Sequence, residues 1–159
     1  SGKIDPKNVK VIYTGDFGNT ALASQAAKTL ISQGADVLTG SAQQVPGAIT
    51  EIQKAKGYWF GTQSDQTGSW PDTTVASQVF DWAPMLRDII TLRLAGTKGG
   101  KAYSISLKDG GEKIVFNSKL TIPDDVKKAA ADAIATVVAG KIDFTDVINP
   151  PTPAATSTK

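Results

Sequence analysis

Three polar loops carry most of the side chains in this sequence that could bind a small molecule or take part in chemistry. They are TGDFGNT (residues 14–20), GSAQQ (residues 40–44) and GTQSDQ (residues 61–66), and an apolar run precedes each of them. Their groups are hydroxyls, amides, carboxylates and one aromatic ring. The sequence contains no histidine and no cysteine, which excludes Ser-His triads, thiolate nucleophiles and nearly every zinc, copper or haem site.

Six residues of these loops are the candidate ligand-binding residues, and five of them have an ordinary structural alternative. They are Asp16, Phe17, Ser41, Gln43, Gln63 and Asp65. Phe17 would stack on a planar or sugar-like ligand, or fold back onto the core. Asp16 and Asp65 would accept hydrogen bonds from a ligand, or cap and pair locally. The hydroxyl of Ser41 and the amides of Gln43 and the neighbouring Gln44 would form hydrogen bonds with uncharged groups of a ligand, or would simply be solvated.

The sequence offers little support for catalysis. Neither Asp16 nor Asp65 has a second acid at a spacing typical of glycosidases. The GDFGNT stretch lacks the full dinucleotide fingerprint, and no phosphate-binding loop is present. We therefore predict a protein that is not an enzyme and uses no cofactor and no metal. A small hydrolase with Asp65 or Asp16 as base is the weaker alternative.

The elements around the loops predict an α/β fold with a parallel sheet flanked by helices in three layers. Three short apolar runs read as strands: VKVIY (residues 9–13), ADVLTG (residues 35–40) and YWFG (residues 58–61). Helical spacing begins at Ala21 and stops at Gly34, and a second helix runs from Pro46 to Gly57. Ligands of open parallel sheets bind beyond the carboxyl ends of the strands, where all three loops fall.

The second half of the sequence predicts further elements and a tail. TVASQV (residues 74–79) reads as an extended segment, and an apolar-faced helix runs from Pro84 to Gly96. KAYSISL (residues 101–107) and EKIVF (residues 112–116) flank Asp109-Gly110, which predicts a hairpin. A last helix starts between Thr121 and Asp125 and ends at Gly140. Residues 1–148 are predicted to form one lobe, and residues 149–159 a flexible tail rich in proline, threonine and alanine.

Bulk properties restrict the partners. A length of 159 residues with 40% hydrophobic content suits a single domain. The formal charge is only +2, and the lysines are scattered, so a nucleic acid partner is not expected. No apolar run of about 18 residues is present, so a membrane-spanning helix is not expected either.

The order of the motifs resembles a known family. VKVIYTGDFGNTALASQAAKTLISQGADVL, AITEIQKAKG, GTQSDQ, TTVASQVFDW and LKDGG are similar to the second half of the substrate-binding lipoproteins of the BMP (basic membrane protein) family. These proteins serve ABC uptake systems, and the best-understood members are purine nucleoside receptors. The likeness covers about residues 9–140. It implies one lobe of a type I periplasmic-binding-protein fold that closes on a small-molecule ligand in an inter-lobe cleft.

The resemblance also implies partners and a location. The first lobe would be absent, so the missing N-terminal lobe or a second copy of the chain would have to cover the apolar face of the helix at residues 82–94. The protein would work with an ABC permease outside the cytoplasm, in the periplasm or at the cell surface, with a lipid anchor on the absent N-terminal part. A ligand-sensing regulatory module on the same fold is the alternative.

Site residues follow from the resemblance position by position. Phe17 matches the aromatic residue that stacks on the base, and the SAQQ loop matches a loop that lines the cleft. Gln63 stands where many relatives have an acid that holds ribose hydroxyls, and Phe80 stands near a lysine of the nucleoside receptors. These two departures remove a charged pair suited to ribose, so the expected class is a small polar ligand, with a nucleoside or related compound as the candidate.

Overall fold

The computed structural model describes residues 5–142, which fall into two compact units divided between Ile122 and Pro123. Each unit is described by itself. After a 3-10 turn at Pro6–Asn8, the elements of the first unit are α1 (Thr20–Ser32), β1 (Val37–Thr39), α2 (Val45–Lys54), β2 (Tyr58–Gly61), β3 (Thr74–Phe80), α3 (Ala83–Leu94) and β4 (Glu112–Phe116). The second unit contains α4 (Asp124–Val138). The predicted tail at residues 149–159 lies outside the described residues.

A four-stranded sheet with the order β1-β2-β3-β4 forms the centre of the first unit. The β1-β2 and β2-β3 pairs are parallel, and β4 runs antiparallel to β3. Val37 lies opposite Tyr58, and the register shifts at Trp59 and Phe60, where β2 meets β3. Because β1 and β2 are joined through α2, their parallel pairing follows from the strand-helix-strand pattern of the sequence. The predicted α/β class is confirmed.

The core lies between the sheet and the helix pair α1 and α2, which pack on each other. Ile49 and Ile52 of α2 are fully buried, and Trp59 of β2 is almost fully buried beneath them. The buried residues of α2, Val45, Ile49 and Ile52, recur at the spacing of three to four that an amphipathic helix requires. Ser24 of α1 donates a hydrogen bond of 3.0 Å to Glu51 of α2, which adds a polar link to the apolar contact.

Within residues 5–142, the opposite face of β1 and β2 is half-exposed. Val37, Tyr58 and Phe60 alternate with buried residues along β1 and β2, and each is between 43% and 50% exposed. Helix α3 has no buried residue, although its sequence is apolar on one broad face. The prediction that this helix spans Pro84 to Gly96 is confirmed at both ends.

Residues 9–13 do not form the predicted strand. A strand requires backbone hydrogen bonds to a neighbour, and within residues 5–142 no backbone hydrogen bond joins this segment to β1. Its apolar side chains are exposed, with Tyr13 at 91%. The β-branched run in the sequence indicated strand propensity, but propensity alone does not supply a partner strand.

The predicted hairpin is also only partly present. The turn at Asp109-Gly110 forms, and Asp109 Oδ1 accepts from the backbone N–H groups of Ser106 and Gly111. Residues 101–107 are not a strand, because β4 pairs with β3 instead. The turn chemistry was predicted correctly, and the partner of β4 was not.

Asn117, directly after β4, fixes that strand against the start of β3. Its side-chain Nδ2 donates to the carbonyl oxygens of Pro71 at 2.7 Å and Thr74 at 2.6 Å. Its Oδ1 accepts from the backbone N–H of Lys119 at 2.9 Å. The residue is only 4% exposed, so one buried amide satisfies three backbone groups at once.

Helix α4 of the second unit confirms the predicted last helix. Asp124 and Asp125 stand in its first turn, where negative charge is favourable near the free N–H groups. Lys128 and Asp132 form an ion pair of 2.6 Å one turn apart. Gly140, with a φ of 66°, follows its end. None of the helices within residues 5–142 has the length and apolar character needed to cross a bilayer.

Candidate ligand-binding site at the ends of the parallel strands

Hydrogen bonds tie the three polar loops to one another. The backbone N–H of Gln44 donates to the carbonyl oxygen of Phe17 at 3.0 Å. The hydroxyl of Thr62 donates to the carbonyl oxygen of Gly40 at 2.7 Å. The loops at residues 14–19, 40–44 and 61–66 therefore form one connected surface, which we call the rim.

The first loop of the rim is held by two consecutive side-chain caps. Gly15 takes a φ of 71°, which favours glycine. Asp16 Oδ1 accepts from the backbone N–H groups of Gly18 and Asn19 at 2.7 and 2.8 Å. Asn19 Oδ1 then accepts from Ala21 and Leu22 and caps α1. One oxygen of Asp16 is thus used for structure, and its Oδ2 has no hydrogen-bond partner within residues 5–142.

Phe17 stands out from this loop with its ring 80% exposed. A large aromatic side chain in solvent is unfavourable by itself, since burying it would gain about 1.5–3 kcal/mol. The caps on both sides hold the loop backbone, so the ring is presented on a fixed support. The alternative interpretation, in which Phe17 folds back onto the core, does not describe its position here.

The second loop places a buried acceptor beside exposed polar groups. Ser41 and Gln43 are exposed. Gln44 is half-buried, and its Oε1 is buried without a hydrogen-bond partner within the described residues. Such an atom has lost its water and gained nothing in return, which costs about 1–3 kcal/mol. Ala42 has a φ of 76°, a left-handed conformation that a residue with a Cβ rarely takes.

In the third loop, Gln63 is exposed, and Asp65 forms hydrogen bonds within the loop. Gln63 has a φ of 71°, and its carbonyl oxygen accepts from Phe80 at 3.2 Å. Asp65 Oδ1 accepts from both the backbone N–H and the hydroxyl of Thr67. Strained non-glycine residues therefore occur in two of the three rim loops, a pattern that is common at binding sites.

Gln66, which was not among the candidates, anchors the third loop. Its Oε1 accepts from Trp59 Nε1 at 2.7 Å, and its Nε2 donates to the carbonyl of Thr62 at 3.2 Å. Its backbone N–H donates to the hydroxyl of Ser77 at 3.0 Å. The residue is 7% exposed. A polar residue inside a polar loop carries no periodic signal, so the sequence could not distinguish it from its solvated neighbours.

Asp81 and Lys113 add a charged pair at the same end of the sheet. Asp81 follows β3, whose carboxyl end lies beside those of β1 and β2 because the strands are parallel. The backbone N–H of Ala83 and the ammonium group of Lys113, 3.3 Å away, hold the pKa of Asp81 below its ordinary value. Within residues 5–142, no group of three or more acidic, histidine or cysteine side chains could hold a metal ion.

A hollow of about 680 Å³ opens beside the rim, and we call it the edge pocket. It lies between residues 9–17, helix α1, strand β1 and the start of α2. Asp16, Phe17 and Ser41 border it, together with Gln44. Gln43, Gln63 and Asp65 do not border it, so the structure brings three of the six candidates to one hollow and leaves three on the adjoining part of the rim.

The deeper lining of the edge pocket is apolar. It consists of small and aliphatic side chains of α1, β1 and α2 together with the buried indole of Trp59. The pocket is therefore polar at its mouth and apolar below. A ligand with one flat apolar face and a hydrogen-bonding edge matches the mouth.

Known proteins resemble this chain in sequence. A purine-binding protein of Brucella abortus (strain 2308) is 30% identical over 136 residues, which are 85% of this chain and 38% of that protein. The chain thus spans less than half the length of this curated relative. A family model described as an ABC transporter substrate-binding protein, PnrA-like, matches residues 4–141.

Solved structures share the fold. A solute-binding protein of an ABC transporter system from Aeropyrum pernix K1 aligns with a TM-score of 0.70 at 18% identity, over 86% of this chain and 48% of that one. A transcriptional activator of the comK gene from Bacillus halodurans aligns with a TM-score of 0.70 at 19% identity, over 82% and 46%. At such identities the likeness shows the fold alone. The family match covers most of the chain, which therefore belongs to the Bmp family of PnrA-like ABC transporter substrate-binding proteins.

Proposed function

We propose that this chain forms one wall of the ligand cleft in an extracytoplasmic solute receptor, and that its rim binds a small polar molecule with a planar ring, such as a nucleoside or a related compound. Phe17 stacks on the ring, and Gln44 accepts a hydrogen bond through Oε1. Ser41, Gln43, Gln63, Asp16 and Asp65 supply the surrounding polar contacts.

One observation carries this proposal. The exposed ring of Phe17 and the unpartnered Oε1 of Gln44 border the same hollow, on loops joined by a backbone hydrogen bond. Each feature alone is unfavourable for the free protein. A ligand with a flat face and an N–H or O–H donor at its edge would cover the ring, and it would satisfy the acceptor once the buried amide of Gln44 turns towards the hollow.

The chemical class of the ligand follows from the charges around the rim. The side chains that border the mouth of the edge pocket are mostly uncharged, and Asp16 is the acid among them. The lining also contains one base, Lys10, whose ammonium group donates to the carbonyl oxygen of Gln33, so the pocket has no excess of positive charge that would favour an anionic ligand. The Brucella abortus relative is described as purine-binding, and a purine has both the flat face and the donors that the mouth requires.

The rest of the receptor would complete the cleft. We propose that a second lobe closes over Phe17 and excludes water, and that the closed form docks on an ABC permease. In this scheme the protein works outside the cytoplasm and transports its ligand without changing it. Closure on a bound ligand requires the ligand to bind the closed form more tightly than the open form.

A nuclear magnetic resonance titration of the chain tests the proposal. Isotope-labelled protein is titrated with adenosine, guanosine, hypoxanthine and ribose. We expect one of the purine compounds to shift amide signals of residues 14–19 and 40–44. Loss of base stacking costs about 1–3 kcal/mol, so Phe17→Ala should weaken the binding by about five-fold to a hundred-fold.

Tyr58→Ala is the matched control, since Tyr58 is a half-exposed aromatic residue on the other face of the sheet. It should leave the affinity unchanged. Equal binding by the Phe17→Ala variant and the unaltered chain would contradict the stacking role. Signal changes confined to α3 or β4, with none in the rim, would place the ligand elsewhere.

A further inference from the structure

The rim continues from its third loop onto the end of strand β3. The backbone N–H of Phe80, the last residue of β3, donates to the carbonyl oxygen of Gln63 at 3.2 Å. The next backbone N–H, that of Asp81, donates to the carbonyl oxygen of Gly111 at 2.8 Å. The chain at Phe80 is therefore fixed between the third loop and the turn before β4, beside a candidate ligand-binding residue.

Two aromatic side chains cover this end of β3. The rings of Phe80 and Trp82 are 5.5 Å apart between centroids and meet edge to face at 69°. Trp82 is 47% exposed, and Phe80 is partly buried. Edge-to-face contact is a favourable arrangement of two aromatic rings, so each ring restricts the movement of the other. We call the surface formed by these two rings the aromatic wall.

The acidic side chains next to the aromatic wall are already hydrogen-bonded. The carboxyl group of Asp81 accepts from Lys113 Nζ at 3.3 Å. Two bonds to Thr67 hold the carboxyl group of Asp65 within its own loop. Gln63 is exposed, and its side-chain amide has no hydrogen bond within residues 5–142. A ligand at this end of the rim therefore meets one neutral amide beside two aromatic rings.

The aromatic wall lies within the length of one nucleoside from Phe17. The loop that carries Phe17 is bonded to the loop after β1, and β2 separates β1 from β3. Neighbouring strands are about 4.8 Å apart, so the ends of β1 and β3 are about 10 Å apart. A base and a ribose joined in line are about as long as this distance. A nucleoside that stacks on Phe17 and lies along the rim would bring its ribose to the wall, whereas a free base would not reach it.

The surroundings of the mouth are unfavourable for a sugar in either direction. Each hydroxyl group of a ribose is both a donor and an acceptor, and a hydroxyl group that is covered without a partner loses its hydrogen bonds to water. The aromatic wall offers no such partner. The deeper lining of the edge pocket is apolar as well. A ribose attached to a ring on Phe17 would therefore lose hydrogen bonds whether it entered the pocket or lay along the rim.

We propose that the candidate site binds a free purine base and discriminates against the corresponding nucleoside. Phe80 and Trp82 are the specificity-determining residues, because they leave the sugar hydroxyls without partners once water is excluded. A base needs only the polar groups at the mouth of the edge pocket, where Ser41 and Gln44 stand beside its edge. This inference rests on the proposed function and narrows its class of ligand.

Titration of the chain with matched ligand pairs tests the inference. Adenine is compared with adenosine, and hypoxanthine with inosine, through the backbone amide signals of residues 14–19 and 40–44. In the pair that binds, we expect the base to bind at least about ten-fold more tightly than its nucleoside, as one unsatisfied hydroxyl group would require. Base and nucleoside have the same charge, so the ratio of their affinities is insensitive to the net charge of the protein.

Variants of the aromatic wall test its role in this ratio. Phe80→Lys supplies a donor for the sugar hydroxyls and should reduce the ratio by at least about five-fold, mainly through tighter nucleoside binding. Phe116→Lys is the matched control, since Phe116 pairs with Ala76 on the same face at the other end of β3, and it should leave the ratio unchanged. Trp82→Gln, at a more exposed position, is the second variant if circular dichroism shows that Phe80→Lys does not fold.

The outcomes separate this inference from the proposed function. A nucleoside that binds as tightly as its base, with shifts in the rim signals, would overturn the inference and leave the proposed function in place. Absence of binding by all four compounds would overturn both. A ratio that is the same in the unaltered chain and in the folded variants of the aromatic wall would overturn the assignment of Phe80 and Trp82.

Discussion

Two glutamines of the rim show opposite uses of the same side chain. The amide of Gln66 is buried and bonded to Trp59 and Thr62, so it holds the third loop on the sheet. The amide of Gln44 is half-buried and leaves Oε1 without a partner within residues 5–142. The first arrangement stabilises the protein, and the second reduces its stability.

Replacing Gln44 with leucine should raise the stability of the protein and weaken its binding of the ligand. Leucine removes the unpartnered acceptor and adds apolar surface, so the free energy of unfolding should rise by about 1 kcal/mol. Purine binding should weaken by about ten-fold, which corresponds to one lost hydrogen bond. Urea denaturation and the titration described above measure the two effects. A lower unfolding free energy for Gln44→Leu would show that Oε1 is already satisfied in the free protein.

Gln66→Ala should destabilise the protein. It leaves the indole N–H of Trp59 buried without an acceptor and removes the bond from Nε2 to the carbonyl oxygen of Thr62, so a loss of about 2–4 kcal/mol is expected. Gln63→Ala, on the exposed part of the same loop, should change stability by less than about 0.5 kcal/mol. Urea denaturation of both variants gives the comparison, and equal midpoints would refute the anchoring role.

Helices α1 and α2 cross at a glycine that permits close contact. A Cβ on Gly47 would lie 2.0 Å from the carbonyl oxygen of Thr20 and 3.2 Å from the backbone nitrogen of Ser24. Both atoms belong to the backbone of α1, so neither can turn aside. The distance between the two helices therefore depends on the absence of a side chain at residue 47.

Gly47→Ala should push the helices apart at the edge pocket. We expect a loss of about 1–3 kcal/mol of unfolding free energy, typical of overpacking. Gly68→Ala is the matched control, since a Cβ there meets nothing within 4 Å and the φ is not positive. Thermal denaturation measures both variants. An unchanged melting temperature for Gly47→Ala would mean that the helix pair adapts without cost.

Helices were easier to predict than strands. The helix beginning at Thr20 has an asparagine cap, helical spacing and a following glycine, and each of these signals is local in sequence. The strand predicted at residues 9–13 required a partner that no local pattern specifies. The pairing of β4 with β3 joins residues more than 30 positions apart, which explains why the turn at Asp109 was predicted and the pairing was not.

The candidate site was predictable as a set of loops and less so as residues. The loops at residues 40–44 and 61–66 follow β1 and β2, whose parallel pairing brings their carboxyl ends to one edge. The loop at residues 14–19 joins them although the segment before it is not a strand. Gln44 and Gln66 differ in how their amides are hydrogen-bonded, and this difference depends on which side chains point into the protein. Polar loops have no periodic pattern from which the direction of a side chain could be predicted. The role of each candidate residue in binding stays a prediction.

At the scale of the whole molecule, carboxyl groups link stability to pH. Hydrogen bonds from the backbone of Gly111 and from Ser106 lower the pKa of Asp109 from its ordinary value of 3.8. Hydrogen bonds from Lys101 and Tyr103 lower the pKa of Asp88 in the same way. A carboxyl group with a depressed pKa in the folded state stabilises the fold above its ordinary pKa and loses this contribution as the pH falls.

The unfolding free energy should therefore decline as the pH is lowered from about 5 towards 2. Asp109→Asn retains the accepting oxygen but cannot be protonated, so its stability should fall less steeply over this range. Asp72→Asn alters an exposed carboxyl that has no hydrogen-bond partner within residues 5–142, and it serves as the control. Urea denaturation at pH 6 and pH 3 measures the slopes, and a steeper decline for Asp109→Asn would contradict the assignment.

The buried amide of Asn117 bears on the chemical ageing of the protein. Asn117 is followed by Ser118, and an asparagine before a small residue deamidates readily in flexible peptides, where the next backbone nitrogen can attack the amide. Conversion to aspartate here would replace the Nδ2 donor with an anionic oxygen facing the carbonyl oxygens of Pro71 and Thr74. Deamidation would thus turn two attractions into two repulsions and weaken the link between the end of β4 and the start of β3. The burial of Asn117 makes its deamidation damaging, but it also keeps water and backbone motion away from the amide. Storage life and folded stability therefore depend on the same residue.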